Sequence, residues 1–271
     1  MPVLRHCRSL LFLPASNPRA IGKAGELPCD AVLLDLEDAV AGEDKAAARG
    51  AAVEAVAAGF GGRLVAIRIN HRESPHYSED LAAVRSSAAD CVILPKVEDA
   101  EAFHDAANII GKPALAMIET PRGVMNAVRI AEHAAGLVAG TNDLRAHLAI
   151  PPGAGRQGLF HALQSILLAA RAGGCAAFDG VHNALDDAKG FAAECEEGAA
   201  FGFDGKTLVH PSQIAPCNRI FAPSQARLAE ARRLVAAAKG GAQRFEGRMI
   251  EELHVAEAEA LIARAEAQAA R

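Results

Sequence analysis

The stretch ALAMIETPRGVMNAVRIAEHAAGLVAGTND, residues 114–143, contains the pattern that decides the fold. Two unbroken apolar runs, residues 114–120 and 136–143, are separated by a segment with helical spacing. Apolar runs without polar alternation are typical of strands buried on both faces, and an intervening helix predicts a parallel crossover. Each run closes on a carboxylate, Glu119 or Asp143, for which packing gives no reason.

The same rhythm continues along most of the chain, and eight apolar runs alternate with Ala-rich segments of helical spacing. Eight such units predict an α/β protein with a (β/α)₈ TIM barrel. A doubly wound open sheet is the alternative, but it would usually show a Gly-rich first turn, which SLLFLPASNPRA (residues 9–20) lacks. The predicted strands cover residues 9–15, 31–38, 64–70, 91–97, 114–120, 136–143, 176–181 and 205–210.

After residue 210 the alternation stops. Residues 224–239 and 253–270 predict two amphipathic helices joined by a polar link that contains glycine. We therefore assign residues 1–223 to the catalytic barrel domain. Residues 224–271 are expected to form a C-terminal helical extension, either a lid or a subunit-contact element, rather than an independent domain.

The composition of the 271 residues excludes several classes of protein. The net charge of −5 and the absence of basic runs argue against nucleic-acid binding. No apolar segment is long enough for a membrane span, and the apolar stretch near the N-terminus is too short for a signal peptide. The six cysteines form no CxxC pair or zinc spacing, which indicates free thiols and a cytoplasmic protein.

Chemistry in a barrel is expected at the carboxyl ends of the strands. Each polar residue there also has a structural alternative. The acids and the lysine could close the rim through ion pairs, the Asn142–Asp143 pair could cap a turn, and His210 could cap a following helix. The polar residues at these ends are Asp35, Glu37, Asp38, Arg68, Asn70, Lys96, Glu119, Asn142, Asp143, Asp179 and His210.

Three of these residues point to a specific chemistry. Glu119 and Asp143 would lie side by side at one rim, which suits a divalent cation bound by oxygen ligands. Arg68 lies inside an apolar strand, where an unpaired charge is costly, so it requires carboxylates or an anionic ligand nearby. A cation with Arg68 beside it would bind an acidic substrate and stabilise an enolate or oxyanion.

The chain also resembles a known superfamily, that of the HpcH/HpaI aldolases and citrate lyase β-subunits, over nearly its whole length. The motifs that carry the resemblance are RSLLFLPASNPR (8–19), AVLLDLEDAV (31–40), RIN (68–70), LPKVE (94–98), IETPRGV (118–124), FGFDGKTLVHPSQI (201–214) and EGRMIEELHVAEAEAL (246–261).

The resemblance implies a TIM barrel that forms homotrimers or hexamers and binds Mg²⁺, or Mn²⁺, through Glu119 and Asp143. It implies reversible cleavage of a carbon–carbon bond in a 3-hydroxyacyl thioester of the malyl-CoA, citramalyl-CoA or citryl type. Arg68 would orient the substrate and stabilise the enolate. Glu251 would act as the acid/base from an adjacent chain. Further substrate-binding candidates are Lys96, Asp35, Glu37, Asp38 and Asn142.

Three positions depart from the superfamily pattern. Glu251 replaces the aspartate that usually ends the GKM-[IV]-D motif, and Asn142 replaces a glutamate common before the metal-binding aspartate. The helix near residue 160 lacks a frequent tyrosine. Two alternatives share the barrel: an acyl-CoA thioesterase, and an aldolase acting on free 2-oxo acids. A third is a non-catalytic subunit, or one that depends on an acyl-carrier partner.

Overall fold

The computed structural model describes residues 2–269, and the eight predicted strands form a closed parallel barrel. Each strand begins at its predicted residue but ends one to four residues before the end of its apolar run, because the last residues of the run leave the ladder. The strands are β1 (Ser9–Pro14), β2 (Ala31–Asp35), β3 (Leu64–Arg68), β4 (Cys91–Leu94), β5 (Ala114–Ile118), β6 (Gly136–Ala139), β7 (Ala176–Asp179) and β8 (Gly205–Leu208).

Closure comes from β1, which pairs in parallel with both β2 and β8. Along each strand, successive residues point to opposite sides of the barrel wall. Leu33 and Phe178 pack inside the barrel, and Val32 and Ala177 pack against the outer helices. The TIM barrel prediction is thus confirmed.

Helices follow the strands around the outside. They are α1 (Pro2–Arg5), α2 (Pro18–Ala24), α3 (Lys45–Ala58), α4 (Tyr77–Ser86), α5 (Ala100–Ile110), α6 (Pro121–Ala131), α7 (Thr141–His147), α8 (Phe160–Ala172), α9 (Ala188–Phe201), α10 (Ile214–Phe221), α11 (Gln225–Ala237) and α12 (Glu252–Ala269). Across residues 2–269, no helix combines the length and apolar character that crossing a bilayer requires. The six cysteines all lie in the described part of the chain, where they are buried and form no disulfide.

The C-terminal extension contains α11 and α12, as predicted, and also a two-stranded hairpin that the sequence did not indicate. Strands β9 (Gln243–Phe245) and β10 (Arg248–Ile250) pair around a two-residue turn. Both turn residues, Glu246 and Gly247, have positive φ, at 45° and 86°. Two residues of positive φ match the twist of a hairpin, but Glu-Gly is a weaker sequence signal for this turn than Asn-Gly.

The far end of α12 is attached to the base of the barrel, the face where the strands begin. Arg264 donates to the carbonyl oxygens of Asp204 and Phe221 at 2.6 and 3.0 Å, and Gln268 donates to that of His6 at 3.2 Å. The start of α12 packs with α11 and the hairpin in a separate small apolar cluster that includes Ile250.

A buried ion cluster ties the wall of the barrel to its outer layer. Asp179, at the end of β7, accepts from Arg156 at 2.6 Å and from Lys206 at 2.8 Å. Asp179 and Lys206 are fully buried. Arg156 belongs to the loop before α8, so this contact fixes a Gly-rich loop that its composition alone would leave flexible. Asp179 therefore stabilises the fold, and its side chain does not contribute to the open end of the barrel where the strands finish.

We expect Asp179→Ala to lower the free energy of unfolding by about 3–5 kcal/mol, because removing one partner leaves buried cations without compensation. Urea titration followed by circular dichroism measures this loss. Glu246→Gln is the control, since its partner Arg233 is exposed, and it should leave the unfolding midpoint unchanged. Equal effects from the two variants would contradict the role assigned to the buried cluster.

Candidate active site at the mouth of the barrel

A cavity of about 290 Å³ opens where the strands end. It collects most of the residues proposed from the sequence. The predicted site residues that line it are Asp35, Asp38, Arg68, Asn142, Glu119 and Asp143.

Glu119 comes directly after β5 and is 2% exposed. Its Oε1 accepts from the backbone N–H of Lys96 at 2.7 Å. Its Oε2 faces Gly140, the residue after β6, where an added Cβ would lie 2.5 Å from that oxygen. The absence of a side chain at residue 140 is therefore what allows the carboxylate of Glu119 to lie between the two strand ends.

Asp143 does not close a strand, so the sequence interpretation was wrong on this point. The ladder of β6 ends at Ala139, and Asp143 is the third residue of α7. Gly140 turns the chain into the helix, which carries the Asp143 carboxylate back over the mouth. No described side chain or backbone group donates a hydrogen bond to that carboxylate, and it remains partly exposed.

Arg68 ends β3 and is held by acids, as an almost buried guanidinium requires. Its Nε and Nη2 donate to the two Asp35 oxygens, both at 2.6 Å. The ring of Phe12 lies 4.9 Å below the guanidinium carbon. Burial lowers the pKa of Arg68, but Asp35 more than offsets that effect and raises the pKa above its ordinary value, so the group stays charged.

The third guanidinium nitrogen, Nη1, is the one that Asp35 does not engage. It lies 3.1 Å from Glu37 Oε2, without hydrogen-bond geometry, and donates to the sulfur of Met117 at 3.6 Å. This nitrogen is consequently the part of Arg68 that can donate to a bound anion.

Lys96 joins the two halves of the mouth. Its Nζ donates to Glu37 Oε1 at 3.0 Å, and its backbone N–H donates to Glu119. Its φ of 50° lies in the left-handed region, which costs a non-glycine residue on the order of 1 kcal/mol. Neither Lys96 nor Glu37 lines the cavity itself, so the substrate-binding role expected of them stays a prediction.

The charges around the mouth do not balance. Burial, together with the nearby carboxylates of Glu37 and Asp143, raises the pKa of Glu119 to about 8. A divalent cation beside Glu119 and Asp143 would offset the excess negative charge, so the donor set fits such an ion. The acids Asp35, Glu37, Asp38, Glu119 and Asp143 outnumber the bases Arg68 and Lys96.

The number of protein ligands also fits. Within residues 2–269, no group of three or more His, Cys, Asp or Glu side chains is arranged to hold a metal. Mg²⁺ commonly binds through one or two carboxylates and takes its other ligands from water and substrate. Two carboxylates, one buried and one facing the cavity, suit that mode better than a site built entirely from protein ligands.

Two other predicted residues lie away from this centre. Glu251 follows β10 in the C-terminal extension, is exposed, and is not among the residues that line the cavity. His210 accepts from the N–H of Ser212 and so caps the turn after β8, which confirms its structural alternative.

Sequence reasoning missed several residues of the cavity. Asn183, in the loop after β7, donates to Asn142 Oδ1 at 2.6 Å. Its loop has no periodicity, so no signal pointed to it. Phe12 and Thr207 occupy inward positions of β1 and β8, which the two-residue period of a strand could have identified.

The fold and the mouth together define a TIM-barrel protein with a carboxylate-rich site suited to a divalent cation. The HpcH/HpaI aldolase/citrate lyase family matches residues 8–211, and a carbon–carbon bond lyase family of the TIM-barrel fold matches residues 162–269. The chain belongs to the HpcH/HpaI aldolase/citrate lyase family.

Several relatives are similar over nearly their full length. A (3S)-malyl-CoA thioesterase of Cereibacter sphaeroides is 41% identical, with 97% of this chain and 96% of the relative covered. The citrate lyase subunit beta of Leuconostoc mesenteroides is 35% identical, with 89% of this chain and 85% of the relative covered. CitE from Mycobacterium tuberculosis, whose crystal structure contains magnesium, acetoacetate and coenzyme A, is 36% identical, and its structure matches with a TM-score of 0.82 over 97% of this chain and 100% of that chain.

The close approach at Gly140 yields a direct test of the metal site. We expect Gly140→Ala to weaken Mg²⁺ binding by about 10–100-fold, because the new methyl group would displace Glu119. In wild-type protein, Mg²⁺ at a hundredfold excess over its Kd should stabilise the fold by about 2.7 kcal/mol. Thermal melts with and without Mg²⁺ would report both effects.

Gly50→Ala is the matched control, because a Cβ at residue 50 meets open space. It should keep the full Mg²⁺ response. An unchanged response in Gly140→Ala would show that Glu119 is not a ligand.

Proposed function

We propose that this chain is a Mg²⁺-dependent carbon–carbon lyase that cleaves a 3-hydroxyacyl-CoA thioester into an acyl-CoA and an oxo acid. The observation that carries the proposal is the placement of Arg68 in the same cavity as Glu119 and Asp143. This combination suits a substrate that carries a carboxylate and develops negative charge as it reacts. Magnesium, coenzyme A and an oxo acid in the related CitE structure support the same chemistry.

Cleavage of the carbon–carbon bond leaves an electron pair that the thioester must accept. As the substrate hydroxyl releases its proton to solvent and becomes a carbonyl, the carbon–carbon bond breaks and its electron pair moves into the thioester, forming an enolate. Mg²⁺, when bound, supplies Lewis-acid polarisation of substrate oxygens. The Nη1 edge of Arg68 donates to the developing negative charge. Because Asp35 already fixes the guanidinium in a bidentate contact, little reorganisation is needed when that charge appears.

The enolate carbon must then receive a proton, and Glu251 is our candidate donor. In this chain Glu251 stands at the start of α12, whereas Gln268, 17 residues further along, contacts the base of the barrel. A helix of that length spans roughly 25 Å. Glu251 does not line the cavity of its own chain. We therefore propose that Glu251 serves the mouth of a neighbouring copy in a homotrimer or hexamer.

The surroundings of Glu251 favour a subunit contact. Met249 and Leu253 flank it and are 65% and 64% exposed, which is unusual for large apolar side chains. A neighbouring copy that covered both would also hold Glu251 in place. On this basis, residues 224–271 form a subunit-contact element rather than a lid over the chain's own barrel.

A thioesterase is the second candidate, and one observation favours it: the 41% identical relative is a (3S)-malyl-CoA thioesterase. In that reaction water attacks the thioester carbonyl and releases free CoA and an intact hydroxy acid. The Arg68 edge would then stabilise the oxyanion of the tetrahedral intermediate instead of an enolate.

Mass spectrometry of the products separates these two reactions. We expect purified protein with Mg²⁺ to convert malyl-CoA, citramalyl-CoA or citryl-CoA to an acyl-CoA and an oxo acid. Arg68→Met should lower kcat by about 10²–10³-fold, as expected for loss of an oxyanion donor. Free CoA with an intact hydroxy acid would replace the lyase by the thioesterase. Absence of turnover in Mg²⁺-binding protein would refute both.

Mixing two inactive variants tests the assignment of Glu251. Arg68→Met and Glu251→Gln chains, denatured together and refolded, should regain about a quarter of wild-type activity if each site takes one residue from each of two copies. Each variant refolded alone is the control. Recovery no greater than the sum of the two variants refolded alone would show that Glu251 does not act across a subunit boundary.

A further inference from the structure

Lys45, the first residue of α3, has a side chain that none of the roles above uses. Its ammonium group donates to the backbone oxygens of Leu36 and Glu37 at 2.9 and 2.8 Å, and to Asn70 Oδ1 at 2.6 Å. An ammonium has three protons, and these three acceptors take all of them. The lysine thus joins the segment after β2 to the segment after β3.

The Asn70 end of this junction is rigid. Asp80 is fully buried, and its Oδ2 accepts from both the backbone and the side-chain nitrogen of Asn70, at 2.9 and 2.6 Å. Its Oδ1 accepts from Arg49 at 2.7 Å. Because the Asn70 amide nitrogen is committed to Asp80, the amide oxygen must face Lys45. The lysine therefore bonds to a fixed acceptor rather than to a mobile side chain.

The Glu37 end is a turn beyond the strand. The ladder of β2 stops at Asp35, whose carboxylate accepts from the N–H groups of Glu37 and Ala39 at 2.9 and 3.1 Å, while Lys45 holds the carbonyl groups of Leu36 and Glu37. Glu37 and Asp38 place their carboxylates 3.1 and 3.7 Å from Nη1 of Arg68. A shift of the backbone at Glu37 would move both charges relative to that nitrogen and change its ability to donate to a bound anion.

We propose that Lys45 is a positioning residue for the lyase: by holding the Leu36 and Glu37 carbonyl groups against Asn70, it sets the positions of the Glu37 and Asp38 carboxylates beside Nη1 of Arg68. This inference rests on the proposed function of Arg68 in stabilising the enolate. Lys45 acts through backbone atoms and contacts neither the metal ligands nor the cavity. Its effect should therefore fall on the chemical step and not on metal binding.

Lys45→Met tests this separation against a matched variant. Lys112 is also half-buried and donates to a backbone oxygen, that of Ser87 at 2.9 Å, but it lies at the base of the barrel. We expect Lys45→Met to lower kcat by about 10–100-fold, since a misplacement of about 1 Å can have an effect of that size. Its KM for the thioester and its Kd for Mg²⁺ should change less than about threefold, and Lys112→Met should keep wild-type kcat.

Chemical rescue shows whether a fall in kcat comes from loss of the Lys45 ammonium or from damage to the fold. Lys45→Cys, treated with 2-bromoethylamine, regains a side chain of similar length that ends in an ammonium. The six natural thiols are buried, and burial raises the pKa of Cys29 to about 11, so they react far less. Most of the lost kcat should return on modification. A kcat within twofold of wild type in Lys45→Met, or no recovery in modified Lys45→Cys, would overturn the proposal.

Exchange of backbone amide hydrogens tests the role of Lys45 independently of whether the protein is a lyase. Amides of residues 36–40 should exchange at least tenfold faster in Lys45→Met than in wild type or Lys112→Met, whether or not any thioester is turned over. If wild-type protein cleaves no thioester, the lyase proposal fails, and faster exchange would still establish that Lys45 holds this segment. Unchanged exchange would overturn the positioning role even in an active enzyme.

Discussion

The burial of one guanidinium, that of Arg68, is the constraint on which the mouth of the barrel depends. An arginine at the end of an apolar strand must be paired, and Asp35 on the adjacent strand provides a bidentate partner. Further acids then gather at the same rim, more than Arg68 and Lys96 can neutralise. That charge can be balanced by a proton on Glu119, whose pKa is raised to about 8, or by a divalent cation beside it, so the arginine and the acids form one electrostatic unit.

The two halves of this unit are connected through the chain itself. The side chain of Lys96 donates to Glu37, and its backbone N–H donates to Glu119, so one residue connects the acids beside Arg68 with Glu119. Its left-handed backbone is the strain that this double contact requires. Rigidity at the mouth therefore comes from loops tied to one another, while the apolar strands supply the frame.

The sequence predicted the frame well because every strand is an unbroken apolar run, and all eight begin where expected. It located Glu119 and Arg68 correctly, since polar residues stand out at the ends of apolar runs. It misplaced Asp143, which lies in a helix, because periodicity does not locate the residue at which a strand's ladder stops. It did not indicate Asn183, and it attached no role to Lys45, because loop contacts depend on tertiary geometry that no short pattern encodes.

The contact between Gln268 and the carbonyl of His6 has a practical consequence. It brings the two extremities of the described chain together on the base, at the end of the molecule away from the catalytic mouth. A circularly permuted polypeptide, joined there by a short linker and opened in a surface loop elsewhere, would preserve every contact around Arg68. Fluorescent fusions or immobilisation handles attached at this base would likewise leave substrate access unobstructed.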